Sequence, residues 1–410
     1  MNKAYKFRLN PTKEQQTLLA QMAGNCRWVW NYMLAQQNTR YQLEKKFIFA
    51  VEMANQLPKL KQENEWLSLT PSQSLQQVCI DQDIALKRVW KSGFGFPKFK
   101  AKSKTRDSFR IPQTNGHIRI TDTHIKVPKI GLVKWRKHRD IAGVIKSITI
   151  SRDIKHWDVS VLVEIPDQHQ LPINPTKCKS IGVDLGISSF LVGSDGNKVD
   201  SPKFLKQKTA RLKRYQRQVS RKCKGSKNRN KARIKLAKWH RDIRNSRADW
   251  LHKLSNEIVN TNDLICVEDL KTKSLMKHKK QKSLNRAISD QGWGMFLNML
   301  KYKSQQRGKT LTQIDQFDPS SKTCSCCGHK MEKMALDIRE WICPLCGAEH
   351  DRDINAAHNI LFWGIMATKN TEGTSEINAC GVSSTRCDLA YDKSLEDTVK
   401  QEAQRSLVVA

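Results

Sequence analysis

Ser180-Ile181-Gly182-Val183-Asp184-Leu185-Gly186 is a short apolar run closed by a carboxylate, and Leu264-Ile265-Cys266-Val267-Glu268-Asp269-Leu270 repeats the pattern further along the chain. Runs this short, rich in β-branched residues, read as strands buried on both faces, as in an α/β protein with a parallel sheet. An acid at the end of such a strand is costly to desolvate, so it is normally paired, hydrogen-bonded or bound to a metal. Asp184 and Glu268 are therefore candidate site residues, with Asp269 competing with Glu268.

Downstream stand two Cys-x-x-Cys knuckles, Cys324/Cys327 and Cys343/Cys346, at a spacing that lets a small ribbon close around one tetrahedral zinc ion. Cys326 also lies in the first knuckle, but Cys327 completes the motif and is followed by Gly328, which permits the tight backbone; His329 ranks below it. Asp351-Arg352-Asp353-Ile354-Asn355-Ala356-Ala357 comes directly after the ribbon. Asn355, Ala356, Ala357, Asn359 and Ile360 continue as a helix, which puts Asp353 at the positive end of its dipole, with Asp351 as the competing acid.

Three carboxylates converging from separate elements can hold two magnesium ions, which suits hydrolysis of a phosphodiester. Each acid also has a plainer account: Asp184 as a turn residue, Glu268 as a lysine partner, Asp353 as a helix cap. Taken with the knuckles and the charge of the chain, the metal-site account is favoured, with zinc structural and magnesium catalytic.

The charge points to a polyanionic partner. Lys plus Arg number 73 against 39 acids in 410 residues, a net +34 that repels itself unless DNA or RNA neutralises it. From Lys203 to Arg247 there are 19 Lys or Arg and one acid, Asp242, with an interruption near Gly225; two antiparallel basic helices are expected. Lys271 to Asp290 reads as a mobile basic lid over the site. No signal-like segment opens the chain and no apolar run reaches membrane-spanning length, and the twelve cysteines fit a reducing compartment, so a cytoplasmic protein without membrane partners is expected.

Toward the N-terminus, Tyr5, Phe7 and Leu9 alternate with Lys6 and Arg8 as in a half-buried strand. Thr12 and Gln15 form a capping-box pair ahead of Leu18, Leu19, Met22, Cys26, Trp30 and Met33 at helical spacing. A second helix is expected from Pro71 through Leu75, Val78, Cys79, Leu86 and Val89, ending by Gly93. From Phe109 to Ile165 alternation returns at Ile118/Ile120, Ile148/Ile150 and Val159/Val161/Val163, as in a small antiparallel barrel joined by the first strand. Pro166 to Thr176 reads as a linker, and residues 368–410, polar and without periodicity, as a disordered tail.

Gly182-Val183-Asp184-Leu185-Gly186, Val267-Glu268-Asp269-Leu270, Ser321-Lys322-Thr323-Cys324 with its knuckles, and Asp351-Arg352-Asp353-Ile354-Asn355-Ala356-Ala357, in that order, resemble the transposon-encoded TnpB (OrfB) proteins, compact relatives of type V CRISPR effectors. The likeness also covers Tyr5-Lys6-Phe7-Arg8-Leu9-Asn10-Pro11-Thr12, Cys26-Arg27-Trp28-Val29-Trp30-Asn31 and Gly95-Phe96-Pro97-Lys98-Phe99-Lys100, and spans residues 1 to 365.

The resemblance implies an α/β multidomain protein: a wedge-like β-barrel (1–10 and 105–170) with a helical recognition insert (11–104), and an RNase H-like RuvC nuclease (177–320 and 348–367) with an inserted zinc ribbon (321–347). It implies Asp184, Glu268 and Asp353 as catalytic acids, the family's acid standing two residues before the Asn. It further implies RNA-guided cleavage of double-stranded DNA beside a short motif, with a guide RNA from the transposon end; the oligomeric state is left open, with a monomer favoured. Lys98, Lys100, Arg211, Arg214, Arg217 and Arg221 are the candidate nucleic-acid contacts. Two other functions are weighed: a strand-transfer transposase, and an RNA-guided DNA-binding repressor without nuclease activity, which would not need the three acids.

Overall fold

A computed structural model describes residues 1–103, 105–113, 116–166, 178–276, 282–315, 318–335 and 337–371. The chain divides into two units, Met1–Asp167 and Gln168–Ala410.

In the first unit β1 (Asn2–Leu9) precedes α1 (Lys13–Glu44), α2 (Ala50–Asn55), α3 (Leu57–Glu63), a 3-10 turn at Glu65–Leu69 and α4 (Ser72–Ser92). The strands β2 (Ser108–Pro112), β3 (His124–Val127), β4 (Gly131–Arg136), β5 (Val144–Asp153) and β6 (His156–Glu164) follow. β1 enters between β6 and β4, giving one antiparallel sheet in the order β2-β5-β6-β1-β4-β3. Tyr5, Phe7 and Leu9 point inward from β1 while Lys6 stays in solvent, so the period-2 pattern sets which face is buried. They share a core with Ile148, Ile150, Val159, Val161 and Val163 of the sheet and with Leu19, Met22, Val29 and Met33 of α1.

At the start of α1 the Thr12 hydroxyl accepts the Gln15 amide at 3.2 Å and the Gln15 side chain accepts the Thr12 amide at 3.1 Å, a complete capping box. α4 ends on Gly93, whose φ of +61° is the left-handed conformation glycine adopts without strain.

Two expectations change here. The sheet is open rather than a closed barrel, since no pairing joins β2 to β3 among the described residues. Ile118 and Ile120 form no strand: Ile120 makes a single bridge to Ile125. Thr121 turns the chain at once, its amide and hydroxyl both donating to the His124 carbonyl, so pairing has no length in which to propagate.

In the second unit β7 (Ser180–Asp184), β8 (Leu191–Gly193) and β9 (Lys198–Val199) form an antiparallel meander. β10 (Leu264–Glu268) and β11 (Thr310–Ile314) extend it in parallel on the other side of β7, in the order β11-β10-β7-β8-β9. The basic stretch becomes α5 (Phe204–Ser220) and α6 (Lys227–Thr261), packed on each other and turning at Gly225, φ +87°. α7 (Thr272–Leu275), α8 (Lys282–Gln291) and α9 (Trp293–Gln306) link β10 to β11. After β11 come the hairpin β12 (Glu340–Ile342) and β13 (Glu349–Asp351), then α10 (Arg352–Thr371).

The described part of the expected lid is tied down. Ile288 of α8 lies in the core, and Asp290 accepts from Arg247 at 2.5 Å and from the Leu205 amide at 3.0 Å. Residues 277–281 of that segment lie outside the described residues, as do 167–176 of the expected linker. α10 runs to Thr371, so 368–371 are helical rather than tail, and 372–410 lie outside the described residues. Among the described residues no helix is long and apolar enough to cross a membrane.

Candidate active site and metal centre

β7 and β10 are parallel neighbours with Val183 opposite Val267, so Asp184 and Glu268 leave the sheet together at its carboxyl edge. In open α/β sheets that edge binds ligands, at the point where the strand order reverses. Here the order reverses at β7, which has the meander on one side and the parallel strands on the other.

Asp353 arrives from the first turn of α10. The helix is pressed onto β7 because Gly182 has no side chain: a Cβ there would collide with the Ala357 carbonyl and lie 2.7 Å from the Leu361 amide nitrogen. Gly364 does the same against Cys266 of β10. Two glycines, one on the sheet and one on the helix, thus set the height at which Asp353 meets the strand ends.

Burial, then the neighbouring carboxylates of Glu268 and Asp353, push the Asp184 carboxyl up to about 7, with Arg352 opposing. Glu268 is raised by burial and by Asp318, against a 2.6 Å hydrogen bond it accepts from the Ser320 hydroxyl. Asp318 is itself raised by burial and by Asp315. Among the described residues no Lys or Arg forms an ion pair with Asp184 or Glu268, whereas Asp353 accepts from Arg339 at 3.2 Å. The plainer account of Glu268 as a lysine partner is therefore not what the structure has.

The two competing acids sit differently from their rivals. Asp351 caps α10, one oxygen accepting the amides of Asp353 and Ile354 at 3.0 and 3.1 Å and the other accepting from Lys198 at 2.6 Å. Partial burial opposes its ionisation, but Lys198 and those amides hold it below the usual carboxylate range. Asp269 is exposed at the strand end, while Glu268 is half-buried.

Sequence reasoning missed Ser320, Asp318 and Arg339. Ser320 and Asp318 follow the end of β11 in a polar stretch without periodicity, and Arg339 sits in an irregular segment of the ribbon. Only their spatial partners distinguish them.

Cys324, Cys327, Cys343 and Cys346 bring their sulfurs within 4.8 Å of one another, and no other such group is found among the described residues; the three carboxylates do not form one. Tetrahedral zinc with Zn–S near 2.3 Å requires sulfurs about 3.8 Å apart. Cys324 and Cys346 lie 3.7 Å apart, and Cys327 and Cys343 3.6 Å. The donor set and spacing fit, so these four residues can hold a zinc ion.

Each knuckle closes on a left-handed glycine, Gly328 at φ +77° and Gly347 at +69°. Burial opposes ionisation of Cys343, yet the amides of Cys346 and Leu345 bring its thiol down to about 7. The histidine beside the cluster is His350, whose Nε2 lies 3.0 Å from the Cys324 sulfur, and His329 is not part of it. After the second knuckle the chain runs through β13 to Asp351, after which α10 begins.

The ribbon is bonded to α10. Asn355 donates to the Thr323 carbonyl at 2.7 Å and accepts the Ser325 amide at 2.8 Å, while Asn359, one turn on, donates to the carbonyls of Ser320 and Thr323, each at 2.7 Å. Arg352 donates to the Ala335 carbonyl at 2.9 Å. The residues that carry Asp353 therefore also fix Ser320, which bonds Glu268.

Of the expected nucleic-acid contacts, Arg211, Arg214, Arg217 and Arg221 are exposed on and just beyond α5, with Arg211 over the Trp239 ring at 5.1 Å. Lys98 is exposed. Lys100 is half-buried, with its ammonium 3.5 Å from the Trp30 ring centroid.

The fold and site define an α/β protein with carboxylates at the ends of adjacent parallel strands and a four-cysteine metal ribbon feeding the third acid. A family model described as "Probable transposase" matches residues 160–279, a "Cas12f1-like, TNB domain" model matches 293–360, and a "Helix-turn-helix domain" model matches 1–46. Residues 1–46 hold a strand and one continuous helix rather than a helix-turn-helix. A protein of Streptomyces pristinaespiralis is 34% identical over 99% of this chain and 97% of its own length, and InsQ of Escherichia coli K12 is 32% identical over 88% and 92%; both are named "Putative RNA-guided DNA endonuclease". The TnpB-like protein L79 of Acanthamoeba polyphaga mimivirus is 34% identical over 34% of this chain and 27% of its own length. The chain belongs to the transposon-encoded TnpB (OrfB) family.

Proposed function

We propose that this chain is an RNA-guided DNA endonuclease encoded by a transposon, cutting double-stranded DNA beside a short motif through a RuvC-type site formed by Asp184, Glu268 and Asp353. The observation that carries this reading is the arrival of Asp184 and Glu268 at the ends of adjacent parallel strands, with Asp353 near enough that its charge and that of Glu268 oppose ionisation of the buried Asp184, a cost that a bound cation would offset. Their fit to magnesium rests on the hard oxygen donors and on the lack of a Lys or Arg partner for Asp184 and Glu268 among the described residues. A meander continued by two parallel strands, with acids at the strand ends, supports the RNase H-like assignment.

Two magnesium ions bound there would activate a water and steady the leaving oxygen of the phosphodiester. The chain's own residues supply the rest. Ser320 orients the Glu268 carboxylate by donating to one of its oxygens. The capping of α10 by Asp351 holds the first turn of the helix, from which Asp353 projects at the positive end of the dipole. Asn355 and Asn359 couple the ribbon to both, so zinc in the ribbon supports the site without entering the chemistry. The excess charge suits an RNA–DNA heteroduplex held through its backbone while base pairing selects the target.

Protein purified with its co-expressed RNA should cut a plasmid matching that RNA in magnesium, and Asp184→Ala should abolish cutting while the RNA stays bound. Persistent cutting by the variant would sink the assignment. Joined rather than cleaved ends in the same assay would favour the strand-transfer transposase.

A further inference from the structure

Two segments singled out in the sequence, Cys26 to Asn31 and Gly95 to Lys100, meet in the first unit. Gly93 to Lys100 has no regular secondary structure, yet α1 clamps it. Asn31 donates to the Lys100 carbonyl at 3.0 Å and accepts the Lys100 amide at 2.7 Å, and the Trp30 indole donates to the Lys98 carbonyl at 3.1 Å. The Lys100 ammonium over Trp30 closes the clamp. The segment is therefore held open as a fixed surface instead of collapsing onto its own aromatic side chains.

That surface is unusual for a folded chain in water. Phe94, Phe96 and Phe99 are 62%, 39% and 57% exposed, and Tyr41 on α1 is 42% exposed. The rings form a series: Tyr41 stacks on Phe47 with centroids 4.6 Å apart, and Phe47 reaches Phe96 at 6.3 Å. Lysines interleave with them. Lys45 lies over Tyr41 at 5.3 Å, Lys87 over the exposed Phe49 at 5.7 Å, and Lys98 is exposed between Phe96 and Phe99.

Aromatic faces alternating with cations are what an unpaired nucleic-acid strand requires: bases stack on the rings and phosphates meet the ammonium groups. Phe94-Gly95-Phe96-Pro97-Lys98-Phe99-Lys100 contains no amide, hydroxyl or carboxylate side chain that could read a base edge. Stacking is tolerant of sequence, so the surface suits a strand whose sequence is arbitrary, which under the proposed function is target DNA rather than a constant RNA scaffold. We infer that the Tyr41–Phe47–Phe96 ring series, with Phe94, Phe99, Lys45 and Lys98, is a stacking platform for a single unpaired strand of the opened target DNA.

The inference rests on the proposed function for the identity of the strand, and its test does not read cutting. The full chain with its co-purified RNA is titrated against a labelled thymidine 20-mer by fluorescence anisotropy, alongside Phe96→Ala/Phe99→Ala and Phe96→Trp/Phe99→Trp. The alanine variant should bind about tenfold or more weakly, from the worth of a stacked base. The tryptophan variant should retain wild-type affinity, and all three should carry the same amount of RNA and unfold at the same temperature. Equal affinity of the alanine variant would overturn the platform, and loss of RNA from that variant would overturn its assignment to DNA. If the wild-type complex fails to cut plasmid but binds the 20-mer with the expected dependence on Phe96 and Phe99, the nuclease reading fails while the platform stands.

Discussion

Asp184 is the residue on which the site turns, and its titration gives a test that needs no substrate. It titrates near 7 in the folded chain against about 3.9 when unfolded. The folded state then holds the proton more tightly, so the residue's contribution to stability falls as pH rises from about 4 to about 7, and the penalty is complete above 7. Its ceiling is on the order of 4 kcal/mol. In metal-free buffer Asp184→Asn should therefore melt higher than wild type at pH 8, with the gain shrinking at pH 5 and gone by pH 4; circular dichroism melts at the three pH values measure it. A gain that does not vary with pH would remove the carboxylate cluster as its cause. Asp184 and Glu268 could be picked out from the sequence because each ends a run too apolar to tolerate an unemployed charge. Ser320 could not: its partner Glu268 is 52 residues away, and nothing local marks a serine for that bond.

Among the elements, the ribbon and α10 act as one body. The knuckle spacing announces a metal loop, and the glycines after Cys327 and Cys346 adopt the left-handed turns that spacing needs. What the spacing does not reveal is that Asn355 and Asn359 bond the ribbon's entry segment, so loss of metal should loosen the helix that carries Asp353. Cys343→Ser should lower zinc per chain, measured by atomic absorption, and should lower the melting temperature and the cutting rate with it, since binding energy of a structural zinc is folding energy. Zinc content equal to wild type would rule the ribbon out as a metal site. The strand pattern in the first unit was legible where alternation ran for several residues, as in β5 and β6. It misled at Ile118 and Ile120, where a side-chain turn at Thr121 overrode propensity.

For the whole molecule the decisive quantity is charge. With a net +34, binding to any polyanion should depend strongly on salt. Replacing Arg211, Arg214, Arg217 and Arg221 together with Gln should weaken RNA affinity across sequences and flatten the plot of log affinity against log salt by about three, at roughly 0.7–0.9 for each phosphate no longer neutralised. Filter binding at several salt concentrations reads this, and an unchanged slope would mean that this face of α5 touches no phosphate. The sequence by itself determined the buried strands, the capped and basic helices, the four-thiol cluster and the large excess of positive charge, because each is written in local spacing or summed composition. Only the tertiary structure decided that Asp351 caps α10 while Asp353 pairs with Arg339 within electrostatic reach of Asp184, that Ser320 bonds Glu268, and that Trp30 and Asn31 clamp the segment that carries Phe96 and Phe99. Those outcomes depend on which side chains meet across the fold, and close approaches such as that of α10 over Gly182 leave no periodic trace in the chain.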